Sequence, residues 1–91
     1  MNTFEQDMKE SYKKLKKDMK YIASLFPNAK KISYLGDNIM LIDFNSEHYN
    51  AAVSLTKTFY KGPLNGGWTT YKGVELSMRP HNHTNRISFT F

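Results

Sequence analysis

The sequence predicts an α+β protein: an antiparallel four- to five-stranded sheet with two helices over one face, in the order α-β-β-α-β-β. Three observations carry that reading. Two stretches place apolar residues at steps of three and four, as amphipathic helices do. Other stretches are β-prone runs or alternate apolar with polar residues. Clusters of Gly, Asn, Asp and Pro separate them.

Thr3 followed by Gln6 has the spacing of a capping box, and Phe4, Met8, Tyr12, Leu15, Met19, Ile22 and Phe26 then mark one face of a helix over residues 4–26. Pro27-Asn28 stops it, because proline lacks an N–H and restricts the residue before it. Residues 30–35 and 39–44 flank Gly36-Asp37-Asn38, which reads as a β-hairpin. Asn45 or Ser46 caps a second helix over residues 47–60, with Ala52, Val53, Leu55, Thr56, Phe59 and Tyr60 as its buried face. Gly62-Pro63 ends it. Val74, Leu76 and Met78, then Ile87, Phe89 and Phe91, alternate with polar residues and form a second hairpin turning at His81-Asn82-His83-Thr84. Trp68-Thr69-Thr70-Tyr71 is strand-like too, joined through Lys72-Gly73 by either a tight turn or a glycine bulge.

Length and composition narrow the class. With 91 residues the chain is one domain, residues 1–91, and a mass of 10.6 kDa implies that folding buries about two-thirds of the surface of the unfolded chain. No apolar run approaches the roughly 18 residues of a membrane span, and the N-terminus does not resemble a signal peptide, so a soluble cytoplasmic protein is expected. Zero cysteines exclude a disulfide framework, a zinc ribbon and a thiol nucleophile. The loop with Gly62, Gly66 and Gly67 lacks the spacing and the Lys-Ser/Thr of a phosphate-binding loop. Asp43, Ser46 and His48 have the residue types of a nucleophile, base and orienter, but Ser46 is better explained as a helix cap. His81-x-His83 would set two imidazoles on one side of a strand, short of the three or four ligands of a closed metal site. No enzyme, metal or other cofactor is expected.

Charge points elsewhere. The formal charge is +5 and the pI about 9.5, with the excess at the two ends of the chain: residues 1–31 carry +4 and residues 68–91 carry +2, around a middle at −1. Part of the first cluster follows from the helix dipole, which favours early acids and late lysines. Projected around the first helix, Lys9, Lys13, Lys16 and Lys20 fall in one row beside the apolar stripe, while Asp7, Glu10, Lys14 and Asp18 occupy the other flank. Such a row suits a phosphate backbone, and Lys30 and Lys31 could extend it. A second candidate is the sheet face with Arg79, Arg86 and Ser88, near Lys72 and Trp68 or Tyr71, where bases could stack if those aromatics are not core. The expected function is a non-enzymatic basic module that engages nucleic acid, RNA ahead of DNA. The alternative is an inhibitor that binds an acidic-surfaced host protein through the same lysines.

The Lys-, Asn- and Tyr-rich chain without Cys, with stretches such as Lys13-Lys14-Leu15-Lys16-Lys17 and Tyr49-Asn50-Ala51-Ala52, resembles the small early proteins of large tailed phages that neutralise host enzymes, toxins or defence systems. That resemblance implies a non-catalytic binder of a host protein, of RNA, or of a ribonucleoprotein. It assigns a role to no particular residue.

Overall fold

Side-chain alternation decides which way each strand faces, and two helices cover the side that alternation makes apolar. The structure, a computed structural model, describes residues 3–59 and 67–91. Its elements are α1 (Thr3–Ser24), β1 (Lys31–Leu35), β2 (Ile39–Asp43), α2 (Ser46–Lys57), β3 (Thr69–Tyr71), β4 (Val74–His81) and β5 (Arg86–Thr90). The strands form one antiparallel sheet ordered β1-β2-β5-β4-β3. The α+β expectation is met, with β3 as the fifth strand. Among the described residues no helix is long and apolar enough to cross a membrane.

Cross-strand partners share a face, so the register sorts the residues. Met40 pairs with Phe89, Ile42 with Ile87, and Met78 with Phe89, and all five are buried with Met19, Ile22 and Phe26 of α1 and its end and Tyr49, Ala52 and Phe59 of α2 and its end. Phe26 is the hub of this core, its ring centroid 5.4 Å from that of Phe89, 5.8 Å from Phe44 and 6.4 Å from Phe59. The other face, with no helix over it, carries Lys31, Ser33, Leu41, Asp43, Arg86, Ser88, Arg79 and His81.

Several local expectations need adjustment. Lys72-Gly73 is a two-residue turn with both residues at positive φ, 48° and 83°, joining Tyr71 directly to Val74. That is the mirror-image turn that matches strand twist. Asn45 occupies the cap position of α2 without a side-chain capping bond; its carbonyl accepts from the N–H groups of His48 and Tyr49. The helix ends at Lys57, short of residue 60, because the Thr58 and Phe59 N–H groups tighten onto Leu55 and Thr56 carbonyls and turn Phe59 into the core. Tyr60, Lys61 and Gly62-Pro63 lie outside the described residues. Pro80 is tolerated in β4 because β3 reaches only to Leu76, and the alternation of ladder bonds turns position 80 away from β5.

α1 outruns its support. At 1.5 Å per residue its 22 residues span about 33 Å, longer than any strand here. Among the described side chains, contact with the core begins at Leu15 and continues through Met19, Ile22 and Phe26, while residues 10–14 are all exposed. Tyr12, expected in the buried stripe, is 46% exposed. The extents of 51 × 29 × 19 Å and the radius of gyration of 14.2 Å, against about 12 Å for a compact chain of this length, fit this projecting helix.

Candidate nucleic-acid interface

One face of α1 and the end of the first hairpin line a groove of about 510 Å³. Tyr12, Lys16, Met19, Lys20 and Ala23 line it from the helix, and Tyr34, Gly36 and Asp37 from the first hairpin. Residues 12, 16, 19, 20 and 23 follow the helical repeat, so one face of α1 supplies the whole wall. Tyr34 alternates onto the helix side of β1 but lies at the sheet edge, where no further strand covers it, and stays 58% exposed. Lys16 Nζ sits 4.6 Å from the centroid of the Tyr12 ring, a cation over an aromatic face. Lys20 is exposed on the same wall and Lys13 is exposed one turn nearer the N-terminus. Lys9 belongs to α1, and its side chain lies outside the described residues.

On the opposite flank, Lys14 Nζ reaches Asp18 Oδ2 at 2.7 Å, so that side of the helix is internally neutralised. The two-sidedness read from helical projection is therefore present from residue 10 onward. The projection did not nominate the two tyrosines. Tyr12 falls in the apolar stripe, and Tyr34 in a strand whose edge position depends on the topology.

The other nominated cations scatter. Lys30 and Lys31 do not continue the α1 row. Lys31 is the register partner of Asp43 in β2 on the open face, the Lys30 N–H donates to the Asp43 carbonyl at 2.8 Å, and both lysines contribute to the field on the Asp43 carboxylate. Arg86 grips that carboxylate, Nε donating to Oδ1 at 2.6 Å and Nη2 to Oδ2 at 3.2 Å. Arg79 is exposed beside Ser88, which holds His81 Nε2 at 2.7 Å. Lys72 lies in the β3–β4 turn, with roughly 17 Å of strand between Val74, the first residue after that turn, and Arg79. Tyr71 stacks on Phe59 at 4.1 Å and 12°, on the helix side, so it is not available to the open face. Trp68 is 56% exposed. A larger hollow of about 720 Å³ wraps the free edge of β4, lined by Leu41, Val53, Arg79, His81 and Ser88 among others, and no Phe, Tyr or Trp among the described residues lines it. Its aromatic ring is the His81 imidazole, which Ser88 holds at 2.7 Å.

Catalytic and metal constellations do not assemble from the nominated residues. Asp43 is engaged by Arg86, His48 pairs with Glu47 at 3.7 Å, and His83 lies in the turn beyond the end of β4, so it does not share a strand side with His81. Among the described residues no three His, Asp or Glu side chains gather as metal ligands would.

The Arg86 fork holds the Asp43 carboxyl below its ordinary value of 3.8; burial opposes this, and the fields of Arg86, Lys31 and Lys30 reinforce it. A carboxylate whose folded-state value is lowered contributes stability above the unfolded value and loses it as pH falls through the folded one. Asp43→Asn is accordingly expected to lower the urea midpoint at neutral pH, with the gap to wild type closing below about pH 3.8. A gap that stays constant across that range in parallel urea titrations would contradict this assignment.

No protein-family model, curated protein or solved structure matches the chain.

Proposed function

We propose that the protein is a non-catalytic module that holds a short single-stranded RNA segment in the groove between α1 and β1. One observation carries the reading: two exposed tyrosines, one on α1 and one on β1, and two exposed lysines of α1 line a single open groove. Single strands are bound by this combination, in which bases stack on aromatic faces for about 1–3 kcal/mol each and cations follow the backbone. In this assignment Tyr12 and Tyr34 are the stacking surfaces and Lys13, Lys16 and Lys20 take the phosphates. Asp37 closes one end of the groove with an acceptor carboxylate, which repels phosphate and suits a base amine or a ribose 2′-hydroxyl. The 2′-hydroxyl option supports ranking RNA ahead of DNA. On the resemblance to phage early proteins, the RNA belongs to a host ribonucleoprotein or defence system.

The test is fluorescence anisotropy with a labelled unstructured RNA at a series of salt concentrations. Two to three phosphate contacts predict a log–log slope of about −1.4 to −2.1, since each contact contributes about −0.7 on a single strand. DNA of the same sequence is expected to bind more weakly. An undetectable or salt-insensitive interaction would remove the nucleic-acid reading and leave an acidic-surfaced protein as the partner of the same lysines.

A further inference from the structure

The sheet ends in β1 on one side and in β3, with Ser77–His81 of β4 beyond it, on the other, and the two sides are treated differently. β3 is three residues long, a short edge that offers little to pair with, and Pro80 interrupts the stretch of β4 beyond it. β1 is five residues long, has no proline, and places Ile32, Tyr34 and Leu35 in solvent at 39%, 58% and 57% exposure. Of the last four positions of the strand, only Ser33 is not apolar or aromatic. The hydrogen-bond phase shows which backbone groups are unused there. The Phe44 N–H donates to the Asn85 carbonyl and the Phe91 N–H to the Asn38 carbonyl, so even-numbered residues of β2 bond to β5 and odd-numbered ones to β1. Their β1 partners Lys31, Ser33 and Leu35 therefore bond inward, and the N–H and C=O groups of Ile32 and Tyr34 point to the open edge.

We infer that β1 is a self-association edge, at which a second copy of this chain pairs antiparallel about Ser33 to make a continuous two-fold sheet. That register is self-complementary. Ile32 lies opposite the second copy's Tyr34 twice, a β-branched residue against an aromatic on the helix side of the sheet, and the two residues exchange four backbone hydrogen bonds in all. Ser33 meets Ser33 on the axis. Lys31 meets Leu35, so no lysine faces a lysine. Charge also favours antiparallel pairing: the strand is basic at its start, with Lys30 and Lys31, and acidic just past its end, at Asp37, so each basic end meets the other copy's acidic one. α1 does not obstruct the approach, since Ile32 and Tyr34 beneath it remain open to solvent. A foreign strand would satisfy the backbone groups equally well, but it is this chain's own pattern that matches both side chains and charges.

A five-residue seam is small, in the range of transient interfaces, so dissociation is expected on the order of 0.1 mM. Sedimentation equilibrium without nucleic acid should show the mass rising from 10.6 kDa toward twice that value as concentration approaches about 1 mM. Ile32→Lys, at an exposed edge position, should weaken the association at least tenfold, while Thr70→Lys on the β3 edge should leave it unchanged. In the unmodified chain, hydrogen exchange at the Ile32 and Tyr34 amides should slow with rising concentration. A monomer at every concentration, an association insensitive to Ile32→Lys, or exchange at those two amides that does not depend on concentration would overturn the inference. None of these outcomes bears on RNA binding by the single copy.

Discussion

Phe26→Ala is expected to cause the largest loss of stability of the substitutions considered. Phe26 is 4% exposed and lies just beyond α1, where its ring meets Phe44, Phe59 and Phe89, so it ties the long helix to both the sheet and the end of α2. Truncating a buried phenylalanine costs about 3–5 kcal/mol, because the cavity collapses only in part. A domain of this length has roughly 5–14 kcal/mol in total. The melting temperature should fall by roughly 12–40 °C, at 4–8 °C per kcal/mol. A control on the exposed stretch of α1, Tyr12→Ala, removes an aromatic that is half-exposed and outside the core cluster and should shift melting by a few degrees at most. Calorimetry on the two variants checks the contrast, and similar losses for both would mean that the N-terminal turns of α1 are packed after all.

Reversing the groove lysines is expected to have the largest effect on binding. Lys16→Glu with Lys20→Glu and the control pair Lys17→Glu with Lys57→Glu change the formal charge equally, and all four side chains are exposed, so both proteins should fold. Each phosphate contact on a single strand contributes about tenfold at 50 mM salt, so losing two should weaken RNA binding on the order of 50- to 100-fold. The control changes only the diffuse field and should cost a few-fold. Equal losses in anisotropy titrations, with both variants folded by circular dichroism, would separate the basic character of the protein from this groove.

Most of the fold was legible because its elements are set by local periodicity. The α1 stripe and the alternation in β4 and β5 each depend on residues close in sequence. What local pattern does not carry is the extent of a partner surface. An apolar stripe continued through Tyr12 reads the same whether or not a sheet lies beneath it, and here Tyr12 stays half-exposed, one turn before Leu15 meets the core. The two-residue turn at Lys72-Gly73 had a larger consequence than its size suggests. A tight turn puts Tyr71 on the face of Val74, against Phe59; a bulge leaves its face open, and with it the second candidate surface.

The site was half legible. Helical projection places lysines without knowledge of the fold, so the row through Lys13, Lys16 and Lys20 was accessible from the sequence alone. The fates of Arg86 and Lys31 were not, because both depend on Asp43 in β2 lying between β1 and β5, and Arg86 is 43 residues from it. Tyr34 was missed for the same reason: its exposure follows from β1 being the edge. Lys30-Lys31 at the start of β1 was the available hint, since lysine marks edge strands.

The most direct measurement is a titration of isotope-labelled protein with a short unstructured RNA, followed residue by residue by nuclear magnetic resonance. The groove assignment predicts that the largest shifts cluster at Tyr12, Lys16, Lys20, Tyr34 and Gly36, with ring signals of both tyrosines moving upfield as bases stack on them. Shifts centred instead on Arg79, Ser88 and Arg86, with Tyr12 and Tyr34 unmoved, would contradict it.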